Sequence, residues 1–299
     1  MGIRRVVTGG QDLISHTTSH QHFTPLVGIA VLAALSFVTL MPRTLSAVDD
    51  FDLEYTAFGR LLRTHVVHTR VNYASLQRNR HELDTVVNSL THLTAAEFDD
   101  WSSHDKIAYL INAYNALTLQ VIIDHYPIKR RWFGFFSPAN SIKQIPSVWS
   151  GPRWLIAGIN MTLDDIEHGT LRQNYKEPRV HFAVNCASIS CPPLRREPYV
   201  GARLDRQLIL AAQDFLASGH GLKINHQTLY VSSMLNWYGA DFVEGYSHLV
   251  KSNGSAKDRA ILGIIAKHGP PEAARIAQGG NARIRYLKYD WSLNDTALR

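Results

Sequence analysis

Both cysteines of the chain lie in one short stretch, Arg179–Tyr199, whose residue types suit nucleophilic chemistry. Cys186 and Cys191 stand five positions apart in a small, hydroxyl-rich segment that Pro192 and Pro193 close. A cysteine attacks as its thiolate, which a neighbouring base generates when a third polar group orients that base. The stretch therefore predicts a thiol nucleophile, Cys186 in the first place and Cys191 as the alternative.

One candidate base precedes the cysteines. Val180, Phe182 and Val184 alternate with residues that include His181 and Asn185. This pattern predicts a strand with one face in the core and with His181 and Asn185 on the other face. If the strand continued, the two cysteines would point to opposite faces, so their pairing also requires a turn at Asn185.

A second candidate base lies on a predicted helix. Thr162–Asp165 has the form of a capping box, with aspartate in place of the usual glutamate, and the helix that follows carries Glu167 and His168. A histidine near a helix end more often only interacts favourably with the helix dipole. His168, preceded by Glu167, is therefore the alternative to His181.

Two asparagines complete the candidate site residues. A helix from about residue 103 to residue 122 is apolar nearly all round, which predicts that it is buried. Asn112 and Asn115 lie on it, and a buried amide without a partner costs about 1 to 3 kcal/mol. They bond to the backbone of neighbouring loops, the commoner case, or they face the same pocket as His181. In the second case Asn112, Asn115 or Asn185 orients the base or donates to an oxyanion.

Composition indicates a globular protein and gives little support to nucleic-acid binding. The chain has 299 residues, of which 45% are hydrophobic, enough for a sizeable core. The formal net charge of +6 is scattered among 25 acidic residues and forms no basic stripe. No nucleic-acid partner is expected.

An uncharged apolar run at residues 26–41 predicts export. It is shorter than the roughly 20 residues of a comfortable bilayer span, so it is typical of a signal peptide or a marginal anchor. We expect residues 1–47 to be this signal peptide or anchor, and membrane contact to be limited to it. Residues 48–299 are expected to form a single globular domain, periplasmic or held at the outer face of the cytoplasmic membrane.

The rest of the chain predicts an α+β fold, because helical and extended patterns do not alternate strictly. Helices are expected at about 80–93, 204–217, 234–243 and 258–268, and strands at about 156–161, 229–231 and 283–289.

Four segments resemble those of the DUF547 family: INAYNAL at 111–117, LDDIEHG at 163–169, VHFAVNCASISCPPL at 180–194 and YDWSLN at 289–294. The family is named for its unknown function, so the resemblance implies a fold and candidate positions. That fold is similar to papain-like and transglutaminase-like folds, in which a buried central helix packs on a small antiparallel sheet with additional helices. In those enzymes the nucleophile begins the central helix, whereas here the corresponding helix carries Asn112 and Asn115 and no cysteine.

Two interpretations stay open, and a third is least favoured. The first is a thiol-dependent hydrolase or acyltransferase that needs no cofactor and acts on amide bonds in a small-molecule, peptide or envelope substrate. The second is a non-catalytic envelope binding or structural module with the cysteines bridged or buried. The third is a zinc site of Cys186, Cys191, His181 and His168, whose cysteine spacing departs from the usual roughly two to four residues. The sequence does not set the oligomeric state.

Overall fold

The helix α5 (Ser103–His125) lies at the centre of the larger of two hydrophobic cores. Ser102 caps it by accepting a hydrogen bond from the backbone N–H of Asp105, and nearly every residue from Ile107 to Ile123 is buried. The predicted burial is therefore confirmed. Among the described residues α5 is the one helix long and apolar enough to cross a bilayer, and most of it is enclosed by protein.

The computed structural model describes residues 51–130 and 137–297. The apolar run at 26–41 and the expected segment 1–47 lie outside the described residues. Asp49–Arg299 forms one compact unit.

Short helices and two hairpins surround α5. Before it come α1 (Thr56–His65), β1 (Val66–Val67), β2 (Arg70–Val71), α2 (Tyr73–Arg78), α3 (Arg80–Thr91) and α4 (Ala95–Asp99). After it come a 3₁₀-helix (Ile142–Gln144), β3 (Trp154–Ile156), β4 (Ile159–Met161), a π-helical segment (Asp165–Arg172) and a 3₁₀-helix (Pro178–Phe182). The single strand expected at 156–161 is thus wrong. Ala157 and Gly158 both have positive φ, and this two-residue turn folds the segment into the hairpin β3–β4.

The second core is built by the C-terminal elements. They are a 3₁₀-helix (Gly201–Arg203), α6 (Leu204–Ala217), β5 (Leu222–Asn225), β6 (Thr228–Val231), α7 (Ser233–Tyr238), a 3₁₀-helix (Gly239–Phe242), α8 (Val243–Tyr246), α9 (Ala256–His268), α10 (Pro271–Gln278) and β7 (Arg283–Tyr286). The helices predicted at 204–217 and 258–268 are confirmed. The sequence analysis missed β5 and α10. α10 begins at Pro271, because proline suits the first turn of a helix.

The α+β class is confirmed, with small sheets of two or three strands and a buried apolar helix. In the three-stranded sheet β5 runs antiparallel and β7 parallel to β6, so this sheet is mixed. It packs within the second core, whereas α5 packs mainly against α3 and the 3₁₀-helix Gly201–Arg203. The strands are too short and too few to cover a helix of this length.

The strand expected through Val180, Phe182 and Val184 is wrong. This stretch forms the 3₁₀-helix Pro178–Phe182, in which the carbonyl of Val180 accepts the backbone N–H groups of Ala183 and Val184. Every residue from 180 to 185 is buried, so the alternation of residue types does not mark one solvent face and one core face. His181 and Asn185 therefore do not share the face of a strand.

Candidate active site

A cavity of about 230 Å³ brings five of the predicted site residues together. Cys186, Cys191, His181, His168 and Glu167 all line it. Its walls are completed mainly by aromatic side chains, namely Tyr114, Trp149, Trp237, Tyr238, Tyr289 and Trp291. Side chains that can attack, exchange protons and bind an apolar group thus surround one space.

A turn after Asn185 brings the two cysteines together. Asn185 Oδ1 accepts the backbone N–H of Ala187 at 3.0 Å, and Asn185 Nδ2 donates to the carbonyl of Pro192 at 2.7 Å. Ala187 has a φ of 58°, in the left-handed region that reverses the chain. The loop closed in this way places the sulfur atoms of Cys186 and Cys191 2.9 Å apart.

Cys186 is a free thiol with a stabilised thiolate form. Its Sγ lies 2.9 Å from Cys191 Sγ, 3.2 Å from Ser188 Oγ and 3.4 Å from Tyr289 Oη, all within hydrogen-bonding distance. These bonds, that from Cys191 first, lower the pKa of Cys186 to about 7 although burial acts to raise it. Burial raises the pKa of Cys191, so Cys191 keeps its proton and serves as the donor.

The C-terminal segment carries Tyr289 to the cysteines. It pairs with the loop after Cys186, since Ile189 N–H donates to the carbonyl of Ser292 at 2.8 Å and Ser190 Oγ accepts the N–H of Asp290 at 2.9 Å. The sequence analysis did not name Tyr289 as a site residue. The available signal was its place at the head of the last family-like segment, 289–294.

His181 belongs to a charged network. Its Nε2 lies 2.7 Å from Asp241 Oδ2, and Arg172 donates to both carboxylate oxygens at 2.6 and 3.0 Å. The ring of Tyr238 stacks on the imidazole with centroids 4.2 Å apart. Burial acts to raise the pKa of Asp241, but the bonds from His181 and Arg172 hold it well below its usual range. No sequence motif had pointed to Asp241 or Arg172.

The second histidine lies on the π-helical segment. Thr162 and Asp165 form the predicted capping-box bonds at its start, at 2.9 and 3.1 Å. Arg172 Nη1 donates to His168 Nδ1 at 3.2 Å, and His168 Nε2 lies 3.8 Å from a carboxylate oxygen of Asp164. His168 is partly exposed.

Glu167, next to His168, is buried, and burial together with the nearby Glu167 carboxylate raises the pKa of Tyr114. The expected cysteine–histidine pair is not formed. Within residues 51–130 and 137–297, neither His181 nor His168 hydrogen-bonds to Cys186. The 3₁₀-helix turns His181 toward Asp241, and donors other than imidazole stabilise the thiolate.

Asn112 and Asn115 do not line the cavity. Asn112 bonds both backbone groups of Tyr199, at 2.7 and 2.9 Å. Asn115 donates to the carbonyl of Ala183 at 3.0 Å and accepts the N–H of Asn185 at 2.8 Å. Both asparagines thus bond to the backbone of neighbouring loops, the first of the two alternatives that the sequence left open. Asn115 also fixes the segment that leads into the cysteine loop.

The part of the chain that the structure describes contains no group of three or more histidine, cysteine, aspartate or glutamate side chains placed to hold a metal ion. The zinc alternative therefore gains no support from this geometry.

No curated protein and no solved structure matches the chain. A family model described as "Protein of unknown function, DUF547" matches residues 98–216. The matched region holds α5, the π-helical segment, the cysteine loop and α6, and all eight predicted site residues lie in it. Asp241 and Tyr289 lie beyond it. The resemblance is confirmed for the three segments at 111–117, 163–169 and 180–194, which lie within the DUF547 match at residues 98–216, whereas the segment at 289–294 lies outside it.

Proposed function

We propose that the protein is a thiol-dependent hydrolase or acyltransferase with Cys186 as its nucleophile. The observation that carries the proposal is the asymmetric thiol pair at the cavity wall. Cys191 and two hydroxyl groups lower the pKa of Cys186 to about 7, while Cys191 itself stays protonated. About half of the Cys186 side chains are then thiolates at neutral pH, the form that attacks a carbonyl carbon.

The His181–Asp241 pair supports the proton transfers that acyl transfer requires. Asp241 orients the imidazole through Nε2, and Nδ1 forms no hydrogen bond within the described residues. The Cys186 sulfur forms a bond to the carbonyl carbon, and the bond to the leaving group breaks as that group takes a proton from His181. Water then attacks the thioester and gives a proton to His181, which releases the acid and restores the thiolate. An amine or alcohol in place of water yields the transferred acyl product.

The Tyr289 hydroxyl is the proposed donor to the oxyanion of each tetrahedral intermediate, with Ser188 holding it in position. Ser188 and Tyr289 lie within 3.4 Å of the attacking sulfur, and Ser188 donates to Tyr289 at 3.1 Å. Donors arranged before the reaction stabilise the developing charge without a cost of reorganisation. Asn185 and Asn115 act as positioning residues, since they hold the loop that carries Cys186.

The test is acylation of the full-length protein by p-nitrophenyl acetate, followed by mass spectrometry of the peptides. We expect acetyl groups on Cys186 and none on that peptide in Cys186→Ala. His181→Gln is expected to keep the first turnover and lose the later ones, because deacylation also needs a base. Exposed His220 offers a matched control, His220→Gln, with unchanged turnover. A wild-type protein that leaves Cys186 unacylated at pH 8 would refute the proposal.

The second candidate function is the non-catalytic module, which the short sulfur–sulfur distance favours. At 2.9 Å the cysteines need only a small approach to form a bond of about 2.05 Å, and a disulfide would remove the nucleophile. Alkylation of protein purified without reductant separates the two candidates. Alkylation of Cys186 supports the enzyme, whether or not Cys191 also reacts, and two protected cysteines support the module.

The proposed substrate lies in the cell envelope, with the reacting bond an amide. This location rests on the apolar run at residues 26–41. Fractionation of cells that express the full chain tests it, since a cytoplasmic location would contradict it.

A further inference from the structure

We infer that the cavity at Cys186 selects an acyl substrate with a positively charged group, such as an ammonium, close to the reacting bond. The inference rests on the proposed function, because it takes Cys186 as the attacking group. It adds the chemical class of the substrate. Three features of the cavity carry it: the sign of its charges, one buried carboxylate and one free aromatic face.

The charged groups that line the cavity are acidic. Asp164 and Glu167 lie in its wall, together with the Cys186 thiol, and no lysine or arginine is among its lining residues. With Cys186 as the thiolate, the wall carries a third negative group. A cleft with one sign of charge concentrates ligands of the opposite sign and repels carboxylates.

Glu167 is the more buried of the two carboxylates. It is 7% exposed, His168 Nδ1 lies 3.9 Å away, and Arg172 acts on it only at longer range. Within the described residues no lysine or arginine forms an ion pair with it. A buried carboxylate is costly unless a cation pairs with it. A cationic group in the cavity supplies the missing charge.

The aromatic wall offers a second contact for the same cation. Lys143 Nζ already lies 4.8 Å from the ring centre of Trp291, and Arg172 Cζ lies 5.0 Å from that of Tyr238. Trp237, which is 47% exposed, packs on Tyr289 and Trp291 and has no such cation of its own in the described chain. Tryptophan faces bind ammonium groups best among the aromatic side chains. Trp237 and the acidic wall are thus suited to one cationic ligand.

Charged thiol reagents of matched size test the inference on the full-length protein. The probes are methyl, 2-(trimethylammonio)ethyl and 2-sulfonatoethyl methanethiosulfonate. In each reaction the Cys186 thiolate forms a disulfide with the transferred sulfur, and methanesulfinate leaves. For each reagent, the rate of reaction with Cys186 is divided by the rate of the same reagent with 2-mercaptoethanol, which removes differences in intrinsic reactivity. We expect the cationic reagent to exceed the anionic one by about tenfold in this ratio.

Three variants locate the source of the preference. Glu167→Gln is expected to reduce the ratio severalfold, and Asp164→Asn, at a partly exposed position, gives the same direction with less risk to folding. Trp237→Leu is expected to slow only the cationic reagent, by roughly threefold. Glu272→Gln, on the exposed face of α10, removes an equal charge elsewhere and leaves the ratio unchanged.

The outcomes separate this inference from the proposed function. Fast modification by the neutral reagent with no charge preference, or with a preference for the anion, overturns the inference and leaves Cys186 as the nucleophile. Slow modification by all three reagents, at the rate of an ordinary buried thiol, overturns the proposed function itself.

Discussion

Replacing Cys191 with alanine should raise the pKa of Cys186. The hydrogen bond from the Cys191 thiol is the largest influence on this pKa, and burial acts in the opposite direction. Without the Cys191 donor, burial becomes the largest remaining influence, and the bonds from Ser188 and Tyr289 oppose it. We therefore expect the pKa of Cys186 to rise from about 7 to near the ordinary value of 9.0. Two pKa units correspond to about 2.7 kcal/mol between the two protonation states.

The expected rates follow from two opposing effects. At pH 7 the thiolate fraction of Cys186 falls from about one half to about one hundredth. The thiolate that remains is about eightfold more nucleophilic, because nucleophilicity rises with pKa with a coefficient of about 0.4 to 0.5. Alkylation at pH 7 should therefore slow by about sixfold, whereas at pH 10 it should become faster than in the wild type. The two pH–rate curves should cross.

The assay is alkylation of the reduced protein by iodoacetamide between pH 5 and pH 10, with each cysteine followed by mass spectrometry. Cys191→Ser is the matched control, because its hydroxyl keeps a donor next to Cys186 and should hold the midpoint near that of the wild type. Thermal unfolding shows whether a variant is folded, which matters because Cys186 N–H donates to Cys191 Sγ at 3.0 Å. A folded Cys191→Ala protein with an unchanged midpoint would refute the assignment of Cys191 as the donor.

Three further predictions concern stability and the thiol. Asn115→Leu leaves the backbone groups of two loop residues unpaired and should lower the free energy of urea unfolding by about 2 to 5 kcal/mol. Thr118→Val, on the same helix, is the control: it removes a buried hydroxyl that has no partner in the described chain and should change this free energy little. Burial lowers the pKa of His268 to about 4, so the unfolded chain binds a proton that the folded chain rejects. Stability should fall by about 3 kcal/mol as the pH falls from about 6.5 to 4, and His268→Gln but not His220→Gln should flatten that dependence in unfolding measured against pH. Tyr289→Phe should raise the pKa of Cys186 by less than Cys191→Ala does, measured by the same alkylation profile, and an equal or larger rise would contradict the order of the donors.

Local pattern predicted the parts of the fold that local forces dominate. The unbroken apolar surface of α5 predicts its burial, and its cap at Ser102 follows from residue type. The amphipathic spacing of α6 likewise gave its bounds, Leu204–Ala217. The stretch from Val180 to Val184 was wrongly predicted as a strand. In so short a segment, the alternation of a half-buried strand and the composition of a fully buried segment give similar residue types.

The sequence by itself determined which groups are available: two cysteines five positions apart, two histidines within twenty residues before the first of them, and the family to which residues 98–216 correspond. Only the tertiary structure decided how these groups are paired. His181 bonds to Asp241, sixty positions away, and Cys186 lies beside Tyr289, 103 positions away. Such partners meet because two hydrophobic cores fold against each other within Asp49–Arg299 and because the C-terminal segment pairs with the cysteine loop. Periodicity reports only which side of its own element a residue faces, so it cannot specify a partner on a distant one.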